Sequence, residues 1–323
     1  MKILTAICRI IVSFTFIFSG FVKLVDPLGS SYKFQEYFSS DVLNLEFLIP
    51  YALPFSIILI LAELMLGVML LLGYLPKFTI WSLLVMILIF LFLTWYSAHY
   101  NKVLDCGCFG DAVKLTPWAT FYKNVALLVF ILVLLFTTKY IRPLINFSFA
   151  KWASFLFFVV FLYITYHVLV HLPIIDFRPY AIGKNIPEGM KQTGSELPPI
   201  HDFYLENSDG LNVTDEVLKE DKMMLVVAYN LDKSDRQGFS KIKEVTDMAS
   251  KSGYKIYALT ASLEEEFLDI KDEFNLNFEM LFCDETTLKT IIRANPGIVT
   301  LQKGTVTGKW NWIDAEKVIK NLK

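Results

Sequence analysis

An excess of charge of either sign is missing from this 323-residue chain, in which 30 basic residues face 32 acidic ones for a formal net charge of −2. Without a basic field there is no electrostatic footprint for nucleic acid, and no acidic tract offers a solvating tail. Cysteine is scarce as well. The four present are Cys8, Cys106, Cys108 and Cys283, too few and too scattered to staple a small scaffold, and only the 106/108 pair has a spacing that carries chemistry.

What the chain has in quantity is apolar surface. Hydrophobic residues make up 54% of it, 28 positions are Phe, and the mean hydropathy is +0.48, so it is not a soluble protein throughout. Five stretches, at about 3–25, 50–73, 78–98, 118–138 and 152–172, are long enough to cross a hydrocarbon core, which needs roughly 20 residues of helix. The first exceeds the apolar core of a signal peptide, and no Ala-x-Ala-like cleavage site follows it, so it reads as a retained helix. Basic residues in short loops orient the bundle: Lys2 and Arg9 at the start, Lys77 in the 74–77 turn, and Lys139, Arg142 and Lys151 between the last two spans. These belong on the cytoplasmic side. The expected topology is then an integral inner-membrane protein with a cytoplasmic N-terminus. Residues 26–49, the loop 99–117 and everything after about 173 lie outside the cytoplasm, although Lys23, Lys33, Lys102 and Lys114 on that face weaken the asymmetry.

The loop between the third and fourth spans reads Asp105-Cys106-Gly107-Cys108-Phe109-Gly110-Asp111. A disulfide across one intervening residue closes a small, strained ring that is easily reduced, which suits exchange better than stapling. Gly107 leaves that ring unobstructed. An extracytoplasmic position agrees with this chemistry, because thiol oxidation is suppressed in the cytosol. Two free thiols in a turn, or a thiolate pair awaiting other metal ligands, are the plainer alternatives. Trp95, Tyr96 and His99 before the pair and Trp118, Phe121 and Tyr122 after it form the aromatic belt expected at headgroup level. They read first as anchors, with the walls of a quinone-binding crevice as the alternative.

Glu63 is the single acidic residue inside the apolar spans, and such a group is costly unless it faces a bundle interior or a wet cavity. It is a candidate cofactor-binding residue together with Lys23; the structural alternative is a carboxylate bonded to a neighbouring helix through Lys23 or Lys123. Lys23, near the end of the first span, could also snorkel. His167 and His171 have the i, i+4 spacing that can bind metal, but with no third ligand in sight they read as packing residues.

These residues carry a resemblance. Phe18-Ser19-Gly20-Phe21-Val22-Lys23-Leu24-Val25-Asp26-Pro27, the stretch from Glu63 to Gly73, and Cys106-Gly-Cys-Phe-Gly110 together resemble the DoxX-like membrane family in its MauE branch, over roughly 1–140. The resemblance implies a four-helix membrane bundle. It also implies a role in forming disulfides in periplasmic partners alongside a thioredoxin-like protein. Here a cytoplasmic loop and fifth span, 141–173, return the chain to the outer face.

From about 174 the composition turns polar. Pro173, Pro179, Pro187, Pro198 and Pro199 mark 174–199 as an extended, partly mobile linker. Beyond it alternate a strand at 224–229, a helix at about 236–251, a strand at 255–260 and a helix opened by a capping box at Ser262-Leu-Glu-Glu265. A strand at 280–283, a helix at about 286–294, a hairpin of 297–302 and 306–312 turned at Lys303-Gly304, and a last helix from Asp314 complete the pattern. This order resembles a thioredoxin fold over 200–323. The stretch from Asp202 to Asp215 is similar to the entry of its TlpA/peroxiredoxin-like branch, and Asn295-Pro296-Gly297 falls where that fold has its cis-proline. The family's Cys-x-x-Cys is replaced by Asp232-Lys233-Ser234-Asp235. Cys283, ending an apolar strand, reads as an inert buried thiol. The groove at Pro296, Asp232 and Asp235 would therefore dock a partner without exchanging with it.

Three functions remain in view. One is a thiol–disulfide oxidoreductase or disulfide-formation factor with Cys106 and Cys108 as catalytic residues, acting on envelope-protein thiols and linked to a quinone. The second is a non-enzymatic membrane scaffold for another envelope protein. A transporter using Glu63 is the third, and five spans without internal repeats argue against it.

Overall fold

The computed structural model describes the chain apart from residues 104–106, 108, 114, 193–196 and 323, and it divides into two compact units, Met1–Leu169 and Val170–Lys323. Five helices in it are long and apolar enough to cross a membrane: α1 (Lys2–Val25), α3 (Ala52–Leu72, entered through a 3-10 turn at Glu46–Tyr51), α4 (Pro76–Tyr100), α5 (Pro117–Phe136) and α6 (Phe147–Val170).

The segment after α1, to which the sequence pattern assigned no conformation, is largely helical. Asp26 accepts the Gly29 N–H at 3.0 Å and Pro27 occupies the first helical position of α2 (Pro27–Phe38), a start signal that was present in the sequence. α1 and α3 approach closely because their contact passes over two glycines. A Cβ on Gly20 would stand 2.7 Å from Leu64 Cγ, and one on Gly67 would stand 2.8 Å from Ile17 Cγ1 and 3.2 Å from the Ser13 carbonyl. Phe16, Leu70, Ile87 and Ile131 fill the interior between α1, α3, α4 and α5. At the C-terminal end of α3 the Arg9 guanidinium donates to the Leu70 and Leu71 carbonyls of the last helical turn at 2.9 and 2.6 Å, and to the Arg142 carbonyl of the loop before α6 at 2.9 Å, adding to the bonds at this helix end. α6 packs Phe161 and Ile164 on Leu24 and Leu64 and leaves Trp152, Phe155 and Leu156 exposed, as a lipid-facing helix does.

The second unit is a mixed α/β structure. Its sheet contains β1 (Met223–Val227), β2 (Lys255–Thr260), β3 (Glu279–Phe282), β4 (Gly297–Gln302) and β5 (Thr305–Asn311), in the order β3-β2-β1-β4-β5. β1 and β2 run parallel, as do β2 and β3, whereas β4 is antiparallel to both β1 and β5. Every residue of β1 is buried, consistent with its central place. The expected hairpin turn is observed, with Lys303 and Gly304 both at positive φ, the geometry a two-residue hairpin favours. α9 (Arg236–Lys251) and α12 (Ala315–Leu322) cover one face of the sheet, with α10 (Glu264–Glu273) beside them, and α8 (Thr214–Lys219) and α11 (Glu285–Ile291) lie on the other.

Two expectations are corrected here. Ser262 does not cap α10: the N-cap is Leu263, and the Ser262 hydroxyl instead accepts the Leu231 N–H at 3.0 Å, tying two loops together. Much of 174–199 is not a free linker. Gly183 and Ile186 donate to the carbonyls of Val306 and Gly304, both at 2.8 Å, and Val306 donates to Lys184 at 2.9 Å. Tyr180 and Ile186 enter the core, and a helical turn α7 (Ile186–Gly189) follows. The exposed edge of β5 explains this, because unpaired strand groups recruit whatever backbone is near.

Candidate functional site

Cys106 and Cys108 lie outside the described residues, but their neighbours are described. Gly107 has φ +65° and receives the Gly110 N–H at 3.1 Å. A Cβ on Gly107 would lie 3.1 Å from Lys33 Cγ, and one on Gly110 would lie 3.1 Å from Val22 Cγ1. The Phe109 ring meets that of Phe18 at 5.4 Å, and the Lys123 ammonium stands 4.3 Å from its centroid. Gly107, Phe109 and Gly110 thus rest on α1 and α2 and reach α5.

Gly107 also borders a crevice of about 60 Å³, whose walls include Lys23, Lys33, Phe34, Tyr37 and Phe90. Behind it lies an ion pair. Lys23 Nζ, from α1, donates to both carboxylate oxygens of Glu63, from α3, at 3.0 and 2.9 Å, and to the Ser19 hydroxyl at 2.7 Å. Glu63 is wholly buried and Lys23 nearly so. Of the two lysines weighed as partners for Glu63, Lys23 takes the role and Lys123 is turned to Phe109 instead. The polar stripe continues to the far helices, where Asn124 Nδ2 donates to Thr94 Oγ1 at 3.4 Å. Lys23 borders the crevice directly; Glu63 reaches it only through Lys23.

In the second unit the peptide Asn295–Pro296 is cis. The Asp235 N–H donates to the Asn295 carbonyl at 3.1 Å, and Asn295 Nδ2 donates to the Asn230 carbonyl at 2.8 Å, so the Asp232–Asp235 turn lies beside Pro296. Asp235 caps α9 by accepting the Gln237 N–H. Gly238, one turn further on, is pressed between Pro296 and Trp312, each 2.9 Å from where its Cβ would be. Asp232 and Asp235 are exposed. Cys283 is fully buried, and burial first, with Asp284 and Asp202 adding to it, pushes its thiol up to about 12; such a thiol is a poor nucleophile.

His167 stacks on Tyr163, while His171 Nδ1 meets Asp314 Oδ2 at 2.8 Å. A cluster that sequence reasoning missed lies near them in the chain. Asp176 accepts from Arg178 Nε at 2.7 Å and Nη2 at 2.9 Å, and from Lys309 Nζ at 2.6 Å. Burial would raise the Asp176 carboxyl, but the two cations outweigh it and hold it below the usual range. Burial, reinforced by the Arg178 charge, pulls Lys309 down to about 7 in spite of Asp176. One carboxylate between two cations leaves the second cation easier to discharge. No spacing in the sequence joins 176 to 309, so nothing short of the fold reveals this group.

These features define an integral membrane protein, a helical membrane unit followed by a mixed α/β unit. Residues 1–137 match the family model of the methylamine utilisation protein MauE, a stretch that contains α1 to α5 and ends before α6. No curated protein matches the chain.

Proposed function

We propose that this protein is a membrane-bound thiol–disulfide oxidoreductase, or disulfide-formation factor, that acts on envelope proteins through Cys106 and Cys108. The observation that carries the reading is the Cys-Gly-Cys-Phe segment between α4 and α5, whose described residues Gly107 and Phe109 lie over the bundle beside a crevice with a buried ion pair. In the exchange, two partner thiols are oxidised to a disulfide while the 106/108 disulfide is reduced to two thiols. Restoring it requires a two-electron acceptor in the membrane, and a quinone supplies that capacity when bound. Phe34 and Phe90 offer flat apolar walls that suit a quinone ring, and Lys33, whose ammonium meets Glu36 at 2.9 Å, is also among the lining residues.

The second unit is proposed to be a thioredoxin-like domain that docks a partner without exchanging with it. Supporting this are its mixed sheet order and the Asp232–Asp235 turn, which stands at the head of α9 beside Pro296. With α1 starting in the cytoplasm, five spans put this domain and the cysteine loop on the same, extracytoplasmic side of an inner membrane. The basic loops at 74–77 and 139–151 support that orientation.

The test is the redox state of Cys106 and Cys108 in cells, read by thiol-alkylation gel shift with and without a block on quinone reoxidation. The reading expects an oxidised pair that becomes reduced under the block. A pair reduced in both conditions, or oxidised in both, would favour the alternative of a non-enzymatic scaffold. That alternative draws on the exposed carboxylates at 232 and 235 and the buried thiol of Cys283.

A further inference from the structure

The chain from His171 to Lys184 runs beside β5 in the opposite direction and is stitched to it along the way. Asn311 Nδ2 donates to the His171 carbonyl at 3.1 Å, and Lys309 Nζ donates to Asp176 at 2.6 Å and to the Tyr180 carbonyl at 3.3 Å. Gly183 donates to Val306, which donates in turn to Lys184. Because α6 ends at Val170, the anchoring begins with the first residue after that helix.

Along this segment the pattern of burial is the reverse of a water-facing surface. Asp176 and Arg178 close on each other and on Lys309, Tyr180 enters the core, and Arg178 and Tyr180 are only 3% and 1% exposed. The apolar side chains point the other way: Ile174 is 58% exposed, Ile175 42%, Phe177 40% and Ile182 61%. A buried ionic group and an exposed apolar patch are each a departure that calls for a cause, and here both fall on one stretch. Single exposed apolar residues are ordinary, but a run of them on an anchored strip marks a contact surface.

We propose that Ile174, Ile175, Phe177 and Ile182 form a membrane-docking strip, seated in the interfacial layer of the bilayer that α6 spans and holding the α/β unit on the lipid surface. Lipid is the occupant that the covalent chain brings to this strip. The four residues from Val170 to Ile174 reach at most about 14 Å, and the interfacial layer lies where a spanning helix ends. Elements that lie on a membrane bury an apolar face about 5–10 Å into the boundary between headgroups and acyl chains. Lys184, exposed just beyond Ile182, supplies a cation suited to lipid phosphates. The ionic cluster beneath completes the arrangement, because Asp176 keeps Arg178 and Lys309 turned into the unit and leaves the outer face apolar. This inference is independent of the oxidoreductase reading.

The experiment places a nitroxide spin label on the full-length protein, one copy per phospholipid nanodisc, in a Cys106→Ser/Cys108→Ser background whose remaining cysteines, Cys8 and Cys283, are buried. Ile174→Cys, Phe177→Cys and Ile182→Cys report on the strip. Phe282→Cys, on the opposite edge of the sheet, and Leu263→Cys are the exposed controls. Collisions with oxygen, which concentrates in lipid, are compared with collisions with a nickel chelate, which stays in water. The oxygen-to-nickel ratio is expected to be several-fold higher at 174, 177 and 182 than at the controls. Ratios equal to the controls would overturn the proposal and leave the strip in water, and labels shielded from both agents would overturn it in favour of a protein contact. Should the labels disturb the fold, hydroxyl-radical footprinting of the unlabelled protein in the same nanodiscs compares two rings of nearly equal exposure, Phe177 at 40% and Phe282 at 43%. Phe177 should react several-fold more slowly, and equal rates would overturn the docking strip.

Discussion

Lys23 and Glu63 close on each other inside the bundle, with both carboxylate oxygens and the Ser19 hydroxyl taking the three protons of the ammonium. Neither charge is left over. Replacing Glu63 by Gln strands a buried ammonium, and removing one partner of a buried pair costs about 3–5 kcal/mol. Glu63→Gln should therefore aggregate at lower temperature than the parent in a detergent thermal-stability assay, while Lys23→Met with Glu63→Met should recover most of the loss. A double variant as unstable as the single one would show that packing, not charge balance, dominates at this contact.

Why Lys23 was chosen over Lys123 was not legible in the sequence. An acidic residue in an apolar span announces a partner, but the choice depends on how α1 is turned against α3, and the contacts over Gly20 and Gly67 set that. The long spans were legible because length and apolarity alone define them. α2 was not foreseen although Asp26-Pro27 is a helix start, because its mixed composition lacks the long apolar run that marks the spans. The capping box at Ser262 had the right letters, but the Leu231 N–H competes for the same hydroxyl. Proline content predicted a mobile linker after 174, and the edge of β5 bound that segment instead.

Lys309 gives the second unit a pH dependence of definite sign. Its proton is held more weakly in the folded unit, at about 7, than at the ordinary lysine value of 10.5, so between these limits the unfolded chain carries more protons and stability rises with pH. The slope reaches at most about 1.4 kcal/mol per pH unit. Asp176 acts in acid: its depressed carboxyl contributes stability above the ordinary value of 3.8 that is lost as pH falls through its lower folded value. Hydrogen-exchange protection of β4 and β5 in the full-length protein, corrected for the intrinsic pH dependence, should strengthen from pH 7 to 9. Lys309→Met should flatten that rise, and a slope unchanged in the variant would assign it to other groups.

The Asp232–Asp235 turn offers a direct test of the thioredoxin-like reading. Asp235 caps α9 and is bonded to the backbone beside Pro296, so the turn has the position at which that fold carries its two thiols. Asp232→Cys with Asp235→Cys, in a Cys106→Ser/Cys108→Ser background, should oxidise to an intramolecular disulfide under mild oxidant, with a faster-migrating band on a non-reducing gel. Two thiols that stay alkylatable in a folded protein would mean that the turn is not built to bridge them.

Exchange chemistry also makes a prediction that a scaffold does not share. The step passes through a mixed disulfide with the partner, and the second cysteine of the pair resolves it. Replacing one cysteine by Ser removes the resolving thiol. Cys106→Ser or Cys108→Ser, at least one of them, should therefore accumulate a covalent adduct with an envelope protein that disappears on reduction, and the double replacement should show none. Cys283 should not compensate, because it is buried and its thiol is held near 12, leaving almost no thiolate at neutral pH. A scaffold would instead run at monomer size in both single variants and keep its biological activity in the double variant. It would fail only when residues 200–323 are deleted, and that pattern would remove Cys106 and Cys108 from the mechanism.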